Sequence, residues 1–189
     1  MEMDVDTKGG NERLNNLVAI TVVVISVFMA VSNVKSGNIG QNMALAKADA
    51  VDTWSEYQAS KLKLHLAENS LSQLALISSA SGVSPDLAAK EKARLEAAIA
   101  KYTTKSASLM KDAKAHEAEY DALNVHDDQF DMSEAFLSIS LALAAVAAVT
   151  GLMWMMYVCW GVSALGFVMG IAGFLDLGLH SDLVARALG

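Results

Sequence analysis

From Phe136 through Leu175 the chain runs for 40 residues without one Asp, Glu, Lys or Arg. As a helix that stretch is about 60 Å long, roughly twice the hydrocarbon thickness of a bilayer. A single tilted helix does not absorb such a mismatch, whereas two spans joined by a tight turn do. Trp154, Tyr157 and Trp160 cluster between Gly151 and Gly161 as interfacial aromatics do, which places the turn at 154–160. A turn nearer Thr150-Gly151 is the alternative. The expected spans are 135–153 and 158–175, followed by an amphipathic tail at 176–189.

A third span precedes them. Leu17 to Val34 is eighteen residues without charge, close to 27 Å as a helix. The rival reading is a cleaved signal peptide, but Glu2, Asp4, Asp6 and Glu12 outnumber Lys8 and Arg13 ahead of it, a poor cationic leader. The segment is therefore expected to stay as a span behind a polar tail at 1–16.

Between these apolar blocks the character reverses, with 26 charged residues from Lys35 through Glu134. Residues 38–134 are rich in Ala, Leu, Lys and Glu, all strong helix formers, and show no alternation of strand type. One break stands out, Ser81-Gly82-Val83-Ser84-Pro85. Gly82 suits the residue after a helix, and Ser84 with Pro85 suits the start of the next. An extramembrane helical hairpin follows, with arms at about 39–80 and 85–128.

The return arm places Leu95, Ile99, Tyr102, Ser106, Leu109, Ala113, His116, Tyr120 and Leu123 at alternating steps of four and three, the rhythm of a coiled-coil seam. The outgoing arm reads more loosely, through Ile39, Met43, Ala46, Ala50, Tyr57, Leu64, Ala67, Leu71 and Leu74. Folding about the break sets opposite one another residues whose numbers sum to roughly 166, such as Tyr57 with Leu109 and Leu64 with Tyr102. Trp54, Leu62, Leu66, Leu76 and Ile77 lie off or beside this seam, and apolar residues off it call for another partner, of which a second copy is the simplest. Within the spans, Ser140, Ala144 and Ala148, and Gly166 with Gly170, set small residues four apart, as helices that approach closely in lipid require. They serve packing within one copy or between copies. The fold class is thus an all-α membrane protein: one span, a long antiparallel coiled-coil hairpin, then two spans.

Chemistry is sparse. Asp127, Asp131 and Glu134 fall on one helix face and could offer oxygen ligands to a divalent cation. No further ligand set accompanies them, so a solvated acidic collar is the plainer reading. His116-Glu117 lacks the second histidine of a metalloprotease motif, since position 120 is Tyr. Met153, Met155, Met156 and Cys159 resemble a copper-binding set, yet in an apolar turn they read as packing. No nucleophilic triad, phosphate loop or dinucleotide fingerprint occurs, so neither an enzyme nor a cofactor is expected. A net charge of −7 argues against nucleic acid as a partner.

With three spans the hairpin and the C-terminus share a side. Lys35, Lys47 and Arg186 on that side against Lys8 and Arg13 on the other favour a cytoplasmic hairpin.

Leu14-Asn15-Asn16-Leu17-Val18-Ala19-Ile20, Asn38-Ile39, Gln41, Met43-Ala44, Val51-Asp52-Thr53-Trp54, Tyr57-Gln58-Ala59 and His126-Asp127-Asp128-Gln129-Phe130-Asp131 with Ser133-Glu134-Ala135 together resemble an uncharacterised bacterial domain-of-unknown-function family of inner-membrane proteins. The resemblance covers most of the chain and implies an inner-membrane location and a three-span layout. It implies no activity. The Met and Trp residues around the second turn lie outside its pattern.

Two functions follow from these features. The first is a non-enzymatic, self-assembling scaffold whose hairpins form a coiled-coil crown on the bilayer. The alternative is an oligomeric pore, or an accessory subunit of a membrane transport complex, with Thr21, Ser26, Ser32 and Asn33 of the first span lining a path. The expected partners are lipid and further copies of the chain, or another membrane protein.

Overall fold

The computed structural model describes residues 7–78 and 84–177, with side chains from residue 12 onward. The described residues form three α-helices and no strand: α1 (Thr7–Ser78), α2 (Pro85–Thr150) and α3 (Met153–Phe174). Each is long and apolar enough to cross a membrane, with mean hydropathy of 2.5, 1.9 and 1.7 in their most apolar stretches. The great length of α1 and α2 has a simple source. The chain's one proline is Pro85, at the first turn of α2, where its missing N–H is no loss. The Ser84 carbonyl accepts the first helical bond, from Ala88 N at 3.1 Å. Gly82 and the tail from residue 178 lie outside the described residues, as does Arg186.

Two boundaries differ from expectation. The first helix begins at Thr7, so residues 7–16 belong to α1, and Leu14 is already buried. The turn between the last two helices sits at Gly151-Leu152, ahead of 154–160 and at the alternative position near Thr150-Gly151: α2 stops at Thr150 and α3 starts at Met153. Gly151 adopts φ 70, a conformation costly to any residue with a Cβ, and its N–H closes the last turn on Ala147 O at 2.9 Å. The aromatic residues 154, 157 and 160 therefore ride on the first turns of α3.

The chain divides into two compact units. The first joins the N-terminal part of α1 (to Asn42) with α2 from Ala122 and α3. Its core is built from small and flexible residues: Leu14, Ala144, Ala147, Met156 and Cys159 pack together, with Val18 and Val22 against them. Further along, the rings of Phe28 and Phe167 lie 4.6 Å apart and those of Phe130 and Phe174 5.1 Å apart, edge to face. Glycines let α3 approach that closely. A Cβ at Gly170 would stand 2.6 Å from Phe28 Cε1 and 2.7 Å from Ser133 Oγ, and one at Gly173 would stand 2.9 Å from Phe130 Cε2. The outward surface is apolar instead, with Val23, Val27 and Val31 of α1 exposed. That inversion suits a bundle immersed in lipid, where helices associate by close packing.

The second unit, Met43–Asp121, pairs the remaining parts of α1 and α2. Their contacts run in opposite order along the two helices: Lys47 sits over the Tyr120 ring, Trp54 bonds to Glu117 and Ser60 bonds to Ser106. Every return-arm seam position from Leu95 to Tyr120 is buried or half-buried. The outgoing arm proves as regular, because Thr53 and Ser60 occupy the two seam positions at which no apolar residue stands.

Candidate interaction surface

The acidic collar lies at the edge of the first unit. Ser36 Oγ donates to Asp127 Oδ1 at 2.9 Å, which ties that carboxylate to α1. Asp131 and Glu134 are exposed, and among the described residues no group of three or more His, Cys, Asp or Glu side chains converges on a metal position. Partial desolvation, followed by repulsion from Asp127, Asp128 and Glu134, holds the Asp131 carboxyl above its ordinary value. A residue that sequence reasoning passed over is more deeply set here. Gln129 is fully buried and donates through Nε2 to Leu177 O at 2.6 Å, beyond the end of α3. Nearby, His126 Nε2 stands 4.0 Å from Asp176 Oδ1.

The other candidates sort by what they touch. Met153, Met155, Met156 and Cys159 all belong to or pack on the apolar core, and Cys159 Sγ donates to Ser140 O at 3.2 Å. His116 is half-buried on the seam and lies 3.8 Å from Glu119 Oε2. The polar residues of the first span do not share a face. Thr21 Oγ1 accepts from Trp160 Nε1 at 3.0 Å and Ser32 is buried, while Ser26 and Asn33 are exposed.

Gly166 and Gly170 are buried against other helices of the same chain, as are Ser140 and Ala144. Ala148 breaks the series: it is exposed, and Ala147 takes the inward position instead. Four-residue steps drift off a helix's buried side, while steps of four and three follow it.

In the second unit, Tyr57, Ile99, Tyr102 and Leu109 are half-buried and Leu95 is buried, all on the seam. Trp54 also turns toward the partner helix, with Nε1 donating to Glu117 Oε1 at 2.8 Å and its ring 5.3 Å from that of Tyr57. It therefore lies beside the seam. Leu45, Leu62, Leu66 and Leu76 are different, at 63%, 61%, 57% and 74% exposure on the side of α1 away from the seam. They are the strongest candidate surface of this unit, since a two-helix hairpin normally carries polar residues there.

No curated protein and no solved structure matches the chain. A family model does, over residues 14–176, which takes in all three helices except the first residues of α1. The chain belongs to the family described as a domain of unknown function, DUF4337.

Proposed function

We propose that this protein is a non-enzymatic, multi-pass scaffold of the bacterial inner membrane that assembles with further copies of itself. In this reading the apolar stretches of the first unit sit in the bilayer with the acidic collar at 127–134 outside it, and the second unit is a coiled-coil hairpin on the cytoplasmic side. The observation that carries it is the set of four leucines on the outer side of α1, each more than half exposed. Apolar side chains repeated there would lose most of their contact with water once another helix covers them. The spans supply no competing chemistry, as they hold no ionisable residue at depth of the kind that transport cycles use.

Native mass spectrometry of the protein extracted gently from its own membrane tests the reading. A defined multiple of 20.0 kDa is expected. The double variant Leu62→Glu/Leu66→Glu should reduce that multiple to a single copy while leaving the helix content intact. A wild-type protein found only as single copies would overturn it.

A further inference from the structure

We propose that copies inserted alike in one bilayer pack head to tail, the outer side of α1 in each hairpin lying against the outer side of α2 in the next. The proposal rests on the scaffold reading and gives it an interface and a register.

Away from the seam, α1 steps by three and four through Asp52, Ser55, Ala59, Leu62, Leu66 and Asn69. On its own outer side α2 does the same through Ala97, Lys101, Thr104, Ser108, Lys111 and Ala115, and all of these residues are exposed. Ser60 bonds to Ser106 across the seam, so residues whose numbers sum to about 166 lie at one height. Copies in the same membrane share that height, and α2 of one runs opposite to α1 of the next, just as it does within a hairpin. Height alone therefore sets the two outer sides position against position. Leu62 meets Thr104, Leu66 meets Lys101 and Asn69 meets Ala97, mostly large against small, as interdigitating helices require. Thr104 Oγ1 donates to Ala100 O of its own helix at 3.1 Å, which leaves its methyl group for Leu62. The stem of Lys101 covers Leu66 while its ammonium group stays in water.

Charge decides between the pairings open to copies at equal height. Among these positions α1 carries one charge, Asp52, and α2 carries two, Lys101 and Lys111. Packing α1 on α1 sets Asp52 against the same carboxylate of its neighbour, and packing α2 on α2 sets each lysine against itself. Packing α1 on α2 instead places Asp52 opposite Ala115, one turn from Lys111, so that opposite charges meet. Ser55 then faces Lys111 without an unpaired donor, because its Oγ donates to Val51 O at 2.9 Å. The two outer sides are opposite edges of one hairpin, so each copy engages two neighbours and the assembly holds three or more copies.

Disulfide mapping in native membranes tests it. In a Cys159→Ser background, Leu62→Cys/Thr104→Cys is oxidised in parallel with each single cysteine variant. Within one hairpin these two positions are about 13 Å apart across both helices, beyond the reach of a disulfide. The proposal expects a covalent ladder running past two copies from the double variant, and no disulfide from either single variant. Homodisulfides at 62 or at 104 would overturn head-to-tail order and leave self-assembly standing, as would a ladder that stops at two copies. Absence of every disulfide from a protein whose native mass is still a multiple of 20.0 kDa would overturn this interface alone. The same absence from a single-copy protein would overturn the scaffold reading too.

Discussion

Ser106 Oγ donates to Ser60 Oγ at 3.1 Å in the middle of the seam between α1 and α2, with both residues buried. Ser60 Oγ in turn reaches toward Tyr102 O at 3.5 Å. A polar pair flanked by apolar seam residues makes register specific, because sliding one helix would bury each hydroxyl without its partner. Ser60→Ala is expected to destabilise the protein by about 1 kcal/mol by removing the acceptor of Ser106. Ser60→Ala/Ser106→Ala should cost less than the sum of the single changes, with a coupling of about 0.5 kcal/mol or more in thermal unfolding. Strict additivity would mean that the hydroxyls do not act as a pair.

That pair also shows where the sequence is readable. The return arm was legible because apolar or bulky residues hold nearly every seam position, so the period survives inspection. On the outgoing arm Thr53 and Ser60 interrupt the apolar count without interrupting the geometry, and the seam read as loose. The three-helix layout followed from charge segregation, the length of the uncharged stretch and the helix start at Ser84-Pro85. The final turn did not, because in a stretch without charge nothing polar marks its edge, and the aromatic cluster drew the boundary into α3. Burial of Gln129 was beyond reach, since its partner Leu177 lies 48 residues away and amide side chains carry no periodic signature. Choosing Ala147 over Ala148 likewise depends on where α1 and α3 lie around α2, which neighbouring alanines do not encode.

Glycines of α3 give a paired prediction. Gly170→Ala would press a methyl group into Ser133 and into Phe28, whose ring is itself packed edge to face on Phe167 and Phe174. A loss of about 1–3 kcal/mol is expected from overpacking. Gly161→Ala on the same helix meets nothing within 4 Å and should be neutral, or gain up to ~1 kcal/mol from helix propensity. Unfolding of both variants in one detergent checks the contrast. Equal effects would mean that α3 does not pack on α1 and α2 through Gly170.

Gly151 makes a different demand, of conformation in place of space. Its φ of 70 lies in the left-handed region, where a Cβ costs roughly 1 kcal/mol or more. Gly151→Val should therefore destabilise the turn between α2 and α3 more than Gly151→Asn, since asparagine tolerates that region far better. Protease sensitivity at the turn, measured in intact membranes, should rise in the order wild type, Asn, Val. An Asn variant as labile as the Val variant would argue against a left-handed residue at this position.

Asp131 yields a prediction in pH. Its carboxyl is held above the ordinary aspartate value, first by desolvation and then by Asp127, Asp128 and Glu134. The folded state thus keeps a proton on Asp131 over a range of pH in which the unfolded chain has released it. Wherever the folded protein binds more protons than the unfolded one, stability falls as pH rises. The contribution of Asp131 is accordingly favourable below the ordinary aspartate value and is lost through the window just above it. At neutral pH the ionised group remains as a small, constant penalty, moderated by its exposure to solvent. Asp131→Asn should flatten the pH dependence of thermal unfolding in that window and raise stability slightly at neutral pH, more so at low salt. A variant less stable than wild type at neutral pH would mean that the Asp131 carboxylate holds a favourable contact, and that repulsion within the collar is not its dominant environment.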